Sequence, residues 1–347
     1  MKLSCDILYW HLKETFKSVS LHTAGSGGLN LSRPEFYLDR EQNFEEGRVY
    51  VCSADHLPQR PILRKNVCLV CLGQHWNLAG LYDRCSVILI EEDTDIFRVF
   101  NRVQHIFDCF DTWEERLEDL LRHSASLPDM LEASRGIFGN PMMLLGSDFR
   151  YLAVTDEVFL QTSLGLRLDT ESLDAEKLAT FLSLHDLSTH VKEPLLLELQ
   201  GGRTLSVNLF DQEEYLGCLT LYESFRPFRE YDKTLAVFFA RLLRQAIQRN
   251  PLLAGNRSAL RRALRSVLSG RGIDFEYRRA LSQENQKSNW VCAKLQPQAG
   301  AAPLPGAYLA ASLEERCPGA IAFELELSVA AMLPAKQDEQ QTVDALV

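Results

Sequence analysis

The sequence has no long apolar run. Nothing in its 347 residues approaches the roughly 20 consecutive apolar residues of a membrane-spanning helix, and Met1-Lys2 leads straight into SCDILYWHLKETF without an apolar signal core. No membrane partner is expected, and a cytoplasmic protein is. Basic charge is also scarce: 37 Lys and Arg against 47 Asp and Glu leave a formal charge of −10. Phosphate binding needs clustered cations, so a nucleic-acid surface spread over the chain is excluded and any DNA contact would have to be local. Catalytic signatures are missing too. There is no GxSxG elbow, HExxH, P-loop, zinc-deaminase signature or kinase set. Histidines and acids without a defined spacing do not make a triad, so a non-enzymatic protein is expected.

Metal and cofactor signals fail at the level of spacing. The nine cysteines are odd in number and sit mostly within apolar runs, which in a reducing compartment reads as small core residues. Cys68 and Cys71 form a CxxC inside NVCLVCLG. A strand repeats every two residues, so it points residues three apart to opposite faces, and no second ligand pair follows. His185 and His190 lie five apart with Asp186 as their one acidic neighbour, too few donors for a metal. The Gly-rich loop Thr23 to Gly28 has Asn30 where a dinucleotide fingerprint needs its third glycine, and no Lys-Ser/Thr ending. It reads as a flexible loop. No cofactor and no metal are expected.

What is present is globular: 46% hydrophobic and 24% charged residues, with length for two or three domains. The most legible stretch runs from Thr204 to Gln248. Leu205, Val207 and Leu209 alternate with Ser206, Asn208 and Phe210, Asp211 to Glu214 supplies a polar turn, and Tyr215 to Tyr222 is a second strand. After Arg226-Pro227, Leu235, Phe238, Phe239, Leu242, Leu243 and Ala246 recur at helical spacing. This is a hairpin with a helix for its oily face (Leu205, Val207, Leu209, Leu219, Leu221). The other face carries Ser206, Asn208, Cys218, Thr220 and Tyr222. That mixture suits either a half-solvated sheet or the wall of a pocket.

The chain divides as follows. Residues 1–92 hold near-continuous apolar strands (SVSLHT, EFYL, RVYVCS, NVCLVCLG, CSVILIEE) separated by helical or loop segments, which predicts an α/β domain with parallel pairs. Residues 93–126 form a long connector with a seam of Ile96, Val99, Val103, Ile106, Phe110, Trp113, Leu117 and Leu120. Thr112-Trp113-Glu114-Glu115 spells a capping box, so this run is one helix or two meeting at Asp111. It is either a dimerising signalling rod or a packed crossover helix, with its second half the more exposed. Residues 127–250 hold a leading helix, the hairpin around Gly146-Ser147-Asp148, an irregular middle, the strand LLLEL, and the second hairpin with its helix. Residues 256–335 give short helices, the strand WVCAKLQP, a helix from Pro303 to Arg316 and one strand-like run, AIAFELELSVAAML. Two strands cover their faces poorly, so this segment reads as incomplete. Residues 336–347 are a polar tail.

The order of elements in 127–250 resembles a GAF-type sensory domain. The whole chain is similar to ligand-responsive bacterial regulators of the purine-catabolism (PucR) and sugar-diacid type. The resemblance implies an α/β and α+β multidomain architecture: an N-terminal α/β sensory domain, a connector helix, a GAF-like antiparallel sheet and a degenerate GGDEF-like segment. No GG(D/E)EF is present, which rules out a nucleotide cyclase. The helix-turn-helix of such regulators is missing from the sequence, so the chain is expected to be a sensory portion, reaching DNA only through another module. It is expected to form a homodimer and to bind a small-molecule effector at Asn208, Cys218, Thr220 and Tyr222, with Tyr151 and His185 nearby. The alternative is a stand-alone binding or scaffold protein.

Overall fold

A computed structural model describes residues 1–23, 27–37, 43–58, 61–73, 80, 84–123, 126–147, 151–164, 191–199, 202–211, 214–249, 256–270, 272, 278, 282, 289–296, 306–325 and 328–335. In chain order the elements are α1 (Cys5–Lys13), β1 (Val19–His22), β2 (Pro34–Phe36), β3 (Asn43–Phe44), β4 (Val49–Ser53), β5 (Ile62–Leu63), β6 (Cys68–Leu72), β7 (Ser86–Ile90), α2 (Ile96–Arg122), α3 (Leu127–Phe138), β8 (Met142–Gly146), β9 (Tyr151–Val154) and α4 (Glu157–Leu164). They continue with β10 (Leu195–Leu199), β11 (Gly202–Asp211), β12 (Glu214–Tyr222), α5 (Glu230–Arg249), α6 (Asn256–Leu268), β13 (Trp290–Leu295), α7 (Gly306–Arg316), β14 (Ile321–Leu325) and β15 (Ser328–Pro334). The chain is a mixed α/β protein of two compact units, Met1–Asp119 with Phe228–Phe238, and Leu120–Pro227 with Phe239–Val347. Among the described residues no helix is long and apolar enough to cross a membrane.

The first unit is built on a five-stranded sheet ordered β1-β7-β6-β4-β2. Its β2/β4, β4/β6 and β6/β7 pairs are parallel and β1 pairs antiparallel with β7. The strands β4, β6 and β7 are buried along nearly their whole length, which is why they read as continuous apolar runs. The two cysteines of the CxxC part as strand geometry demands: the Cys68 thiol lies 3.2 Å from that of Cys5 on α1, and the Cys71 thiol 3.5 Å from that of Cys52 on β4. Each contact disfavours a thiolate, and burial adds to it, so both Cys68 and Cys71 are held well above the ordinary thiol range. They are inert core residues.

Helix α2 decides between the alternatives the sequence left open. It is one helix of 27 residues; Thr112 does not cap a second one but donates its hydroxyl to the Asp108 carbonyl one turn back, at 2.7 Å. Its seam is buried along both halves, with Val99, Val103, Phe110, Trp113 and Leu117 each at most 4% exposed. A seam already covered in the chain cannot zip to a second copy. Within this unit Trp113 meets Phe238 of α5 ring to ring at 5.6 Å, and Arg229, ahead of α5, lies over Trp10 and bonds Glu14 at 2.6 Å.

The second unit carries an antiparallel sheet ordered β10-β11-β12-β8-β9, so its first and last strands lie side by side at the centre. Helix α3 leads into it, held at its start by a Ser126/Asp129 capping box and ended by Gly139 in the left-handed region at φ 59°. The next residue, Asn140, is 1% exposed. Its carbonyl oxygen accepts from the backbone N–H groups of Ser224, Phe225 and Arg226 at 2.9–3.2 Å, and its amide donates to the Arg226 carbonyl at 2.9 Å. One side chain thus ties the start of β8 to the lead into α5. Helix α5 then passes alongside the hairpin, where Gln248 bonds Asp211 at 2.8 Å, and Phe239 packs on Phe138 of α3 at 5.9 Å.

A separate three-stranded sheet, β13-β15-β14, is wholly antiparallel. The run AIAFELELSVAAML is two strands rather than one. It reverses so that Ser328 pairs with Leu325 and donates its hydroxyl to the Leu325 carbonyl at 2.8 Å. With that extra strand each face finds a helix: Leu260 and Leu264 of α6 pack on Ile321 and Phe323, and Ala310 and Leu313 of α7 on Ala322, Val329 and Ala331. Glu314 accepts from the Ala322 N–H at 2.7 Å and pairs with Arg261, which covers part of the free edge of β14. Phe275, Tyr277 and Leu281, which the sequence spacing reads as a second short helix, and the polar tail lie outside the described residues.

The register of the central sheet turns on Gly217. A Cβ there would sit 2.1 Å from the Leu145 carbonyl oxygen, so Gly217→Ala is expected to cost about 3 kcal/mol or more in urea unfolding, by forcing β12 off β8. Gly136, exposed in α3 with open space around it, is the control: Gly136→Ala is expected to stabilise by about 1 kcal/mol.

Candidate functional site

Direct pairing decides which side chains share a face. Across β11 and β12, Thr204 stands opposite Tyr222, Ser206 opposite Thr220, and Asn208 opposite Cys218. On one flank Thr220 pairs with Met143 and Cys218 with Leu145, and Leu145 in turn with Tyr151 after a bulge in β9. On the other, Leu195 faces Ser206 and Leu197 faces Thr204. The result is a band of hydroxyl, thiol, amide and thioether groups framed by leucines. Five of the six expected residues, Tyr151, Asn208, Cys218, Thr220 and Tyr222, are brought together on it. His185 lies outside the described residues, as does His190.

The face is buried, which overturns the half-solvated alternative. Thr220 is 0%, Ser206 2%, Cys218 3% and Tyr222 7% exposed. Buried polar groups need partners, and most have them within the band. Ser206 and Thr220 share a hydrogen bond at 3.2 Å, the Cys218 thiol reaches the Thr220 hydroxyl at 3.7 Å, and Asn208 donates to the Val191 carbonyl at 2.9 Å. Tyr222 donates to the Met143 sulfur at 3.7 Å, a weak acceptor. Thr204, 2% exposed, finds no hydrogen-bond partner for its hydroxyl among the described residues.

Two of these groups are held in their neutral forms. Burial pushes the Cys218 thiol up to about 11, against hydrogen bonds from Thr220, Ser206 and the Val207 backbone that pull it down. Burial, with Cys218 and Tyr151 nearby, drives the Tyr222 phenol far above its usual range. No described residue on the paired strands of this face carries a charge, and among the described residues no three His, Cys, Asp or Glu come together to hold a metal. The band can donate and accept hydrogen bonds to a neutral group.

Reading the sequence for alternation from Leu205 left out Thr204, although it shares the parity of Ser206 and Asn208. Asn140 was missed as well. Its one signal was the Asn-Pro dipeptide, which marks a turn but not the four hydrogen bonds made there.

No protein-family model matches the chain, and no curated protein matches it. Among solved structures, a chain of the E. coli DhaR(N)–DhaL complex is similar over 66% of this chain and 89% of that one, at 12% identity and a TM-score of 0.27. So loose a superposition carries no argument about fold or activity.

The buried thiol gives a pH test. Its folded pKa lies above the ordinary value of 9.0, so the stability it contributes is complete below about pH 9 and is lost as pH rises toward 11. The unfolding free energy of the wild type, read from urea curves, is expected to fall relative to that of Cys218→Val between those values, by up to roughly 2–3 kcal/mol. Curves that stay parallel across this window would rule out a neutral, buried thiol at this position.

Proposed function

We propose that this protein is the sensory portion of a ligand-responsive transcriptional regulator, resembling the PucR and sugar-diacid type. In this reading it is not an enzyme. It binds a small-molecule effector on the polar face of the β10-β11-β12-β8-β9 sheet and relays binding to a DNA-binding module. The observation that carries the proposal is the burial of that mixed face. Hydrogen-bonding side chains inside an apolar frame fix the orientation of a small polar molecule, whereas a purely structural core gains more from aliphatic groups.

Two features of the chain support a relay. Asn140 bonds the segment that leads from β12 into α5, and α5 contributes residues to both compact units. An effector that favours one arrangement of β12 would thereby bias the helix that follows it, provided it binds the two arrangements unequally. The second domain is GAF-like in this proposal, and its first and last strands meet at the sheet centre. A homodimer belongs to the proposal through a surface other than the covered α2 seam.

A stand-alone interaction protein without DNA binding is the second reading. It is favoured by the apolar surface of Val158, 74% exposed, and Phe225, 59% exposed, whose ring packs on Phe159 at 5.6 Å.

The test is a thermal-shift panel of purines, sugar acids and amines, repeated on Asn208→Leu and Tyr222→Leu. An effector is expected to raise the wild-type melting temperature and to bind each variant at least about tenfold more weakly, the loss of one or two buried hydrogen bonds. Unchanged affinity in both variants would place the effector elsewhere.

A further inference from the structure

The polar face contains one mismatch that its internal hydrogen bonds do not resolve. Thr204 and Tyr222 stand directly opposite each other on adjacent strands, both at least nine-tenths buried. They do not bond each other. The Thr204 hydroxyl has no partner among the described residues, and the Tyr222 hydroxyl spends its proton on a thioether, which leaves its oxygen free to accept. Ser206 and Thr220, two residues along the same strands, satisfy each other, whereas the Tyr222 phenol turns toward Met143 on β8. The Thr204–Tyr222 pair stays open.

We infer that Thr204 and Tyr222 grip an uncharged molecule that presents a hydrogen-bond donor beside an acceptor, a carboxamide-like edge. The inference rests on the effector-face reading and names the chemistry of that site. The tyrosine oxygen takes the ligand's N–H or O–H, while the threonine hydroxyl, able to donate or accept, takes the neighbouring atom. The absence of charge follows from the wall itself. The described residues paired around these two are leucines, hydroxyls, a thiol, an amide and a methionine. A carboxylate or phosphate set against them would lose its hydration with no cation in return among these described residues.

Isosteric probes test this: benzamide against benzoate, and phenol against phenyl phosphate, by thermal shift and ligand-observed NMR at millimolar concentration. Benzamide and phenol are expected to bind and their anionic counterparts are not. Thr204→Val is expected to raise the melting temperature of the free protein by about 2–4 °C, because it removes an unpaired buried hydroxyl, and to weaken benzamide about tenfold. Tyr222→Phe is expected to weaken it similarly. A purely structural Thr204 gives the first effect without the second, and benzamide binding unchanged in both variants overturns the proposal. So does failure of benzamide to bind the wild type. Binding of an anionic probe, or of an anionic panel metabolite, that is lost in Asn208→Leu overturns the uncharged class and leaves the effector reading standing. A panel from which nothing binds removes the effector reading itself.

Discussion

The close approach of Gly217 to the Leu145 carbonyl is the constraint on which the central sheet depends. Strands sit close to 5 Å apart, and here the backbone of β12 presses on β8 so tightly that a single Cβ would overlap it. The β11/β12 register shift falls beside it, between Leu209 and Phe210. Because side chains alternate with a period of two, a slip of one residue would exchange the two faces entirely. The buried hydroxyls and the apolar face are therefore consequences of one register. Asn140 fixes the other end. Its four hydrogen bonds hold the end of β12 where α5 begins, so the sheet and the helix share an anchor.

Much of this was legible in advance because a two-residue period leaves little freedom. The alternation from Leu205 onward marks Ser206, Asn208, Cys218, Thr220 and Tyr222 as one polar face, though not Thr204, and the strand geometry of NVCLVCLG sends Cys68 and Cys71 to opposite sides. What the period could not tell was whether a face is wet. Ser, Asn, Thr and Tyr are ordinary on a solvated sheet, so burial had to come from three-dimensional packing. The α2 seam left two readings open for the converse reason. Period and apolarity establish that a stripe is covered, yet they are silent on whether the cover is the same chain or a second copy. Trp113, Leu117 and their neighbours are covered within the chain.

Local chemistry accounts for the remaining differences. Thr112 has the residue type and spacing of an N-cap, but a threonine inside a helix can equally bond the carbonyl one turn back, and α2 takes that option because its seam continues without a break. The two strands within AIAFELELSVAAML merged in the sequence because the turn between them carries no Gly, Pro or Asn. The Ser328 hydroxyl closes it instead. Asn140 was illegible for a different reason: its partners are backbone N–H groups about 85 positions away, and no side-chain pattern marks a backbone donor.

On the proposed reading, the polar face also bears on why such a sheet would suit an effector site. A hydroxyl buried without a partner costs stability, and a protein built only for rigidity would place valine at 204. Leaving that position unsatisfied while Ser206 and Thr220 close on each other concentrates the unmet bonding at one pair, next to the end of β12. A molecule that meets it recovers hydrogen bonds the free protein lacks, and the recovered energy appears where β12 hands over to the Asn140-anchored segment and α5. Coupling needs a difference in ligand affinity between two states. An unpaired hydroxyl beside the junction supplies such a difference with no large motion, since any state that draws Thr204 and Tyr222 apart loses the ligand's grip.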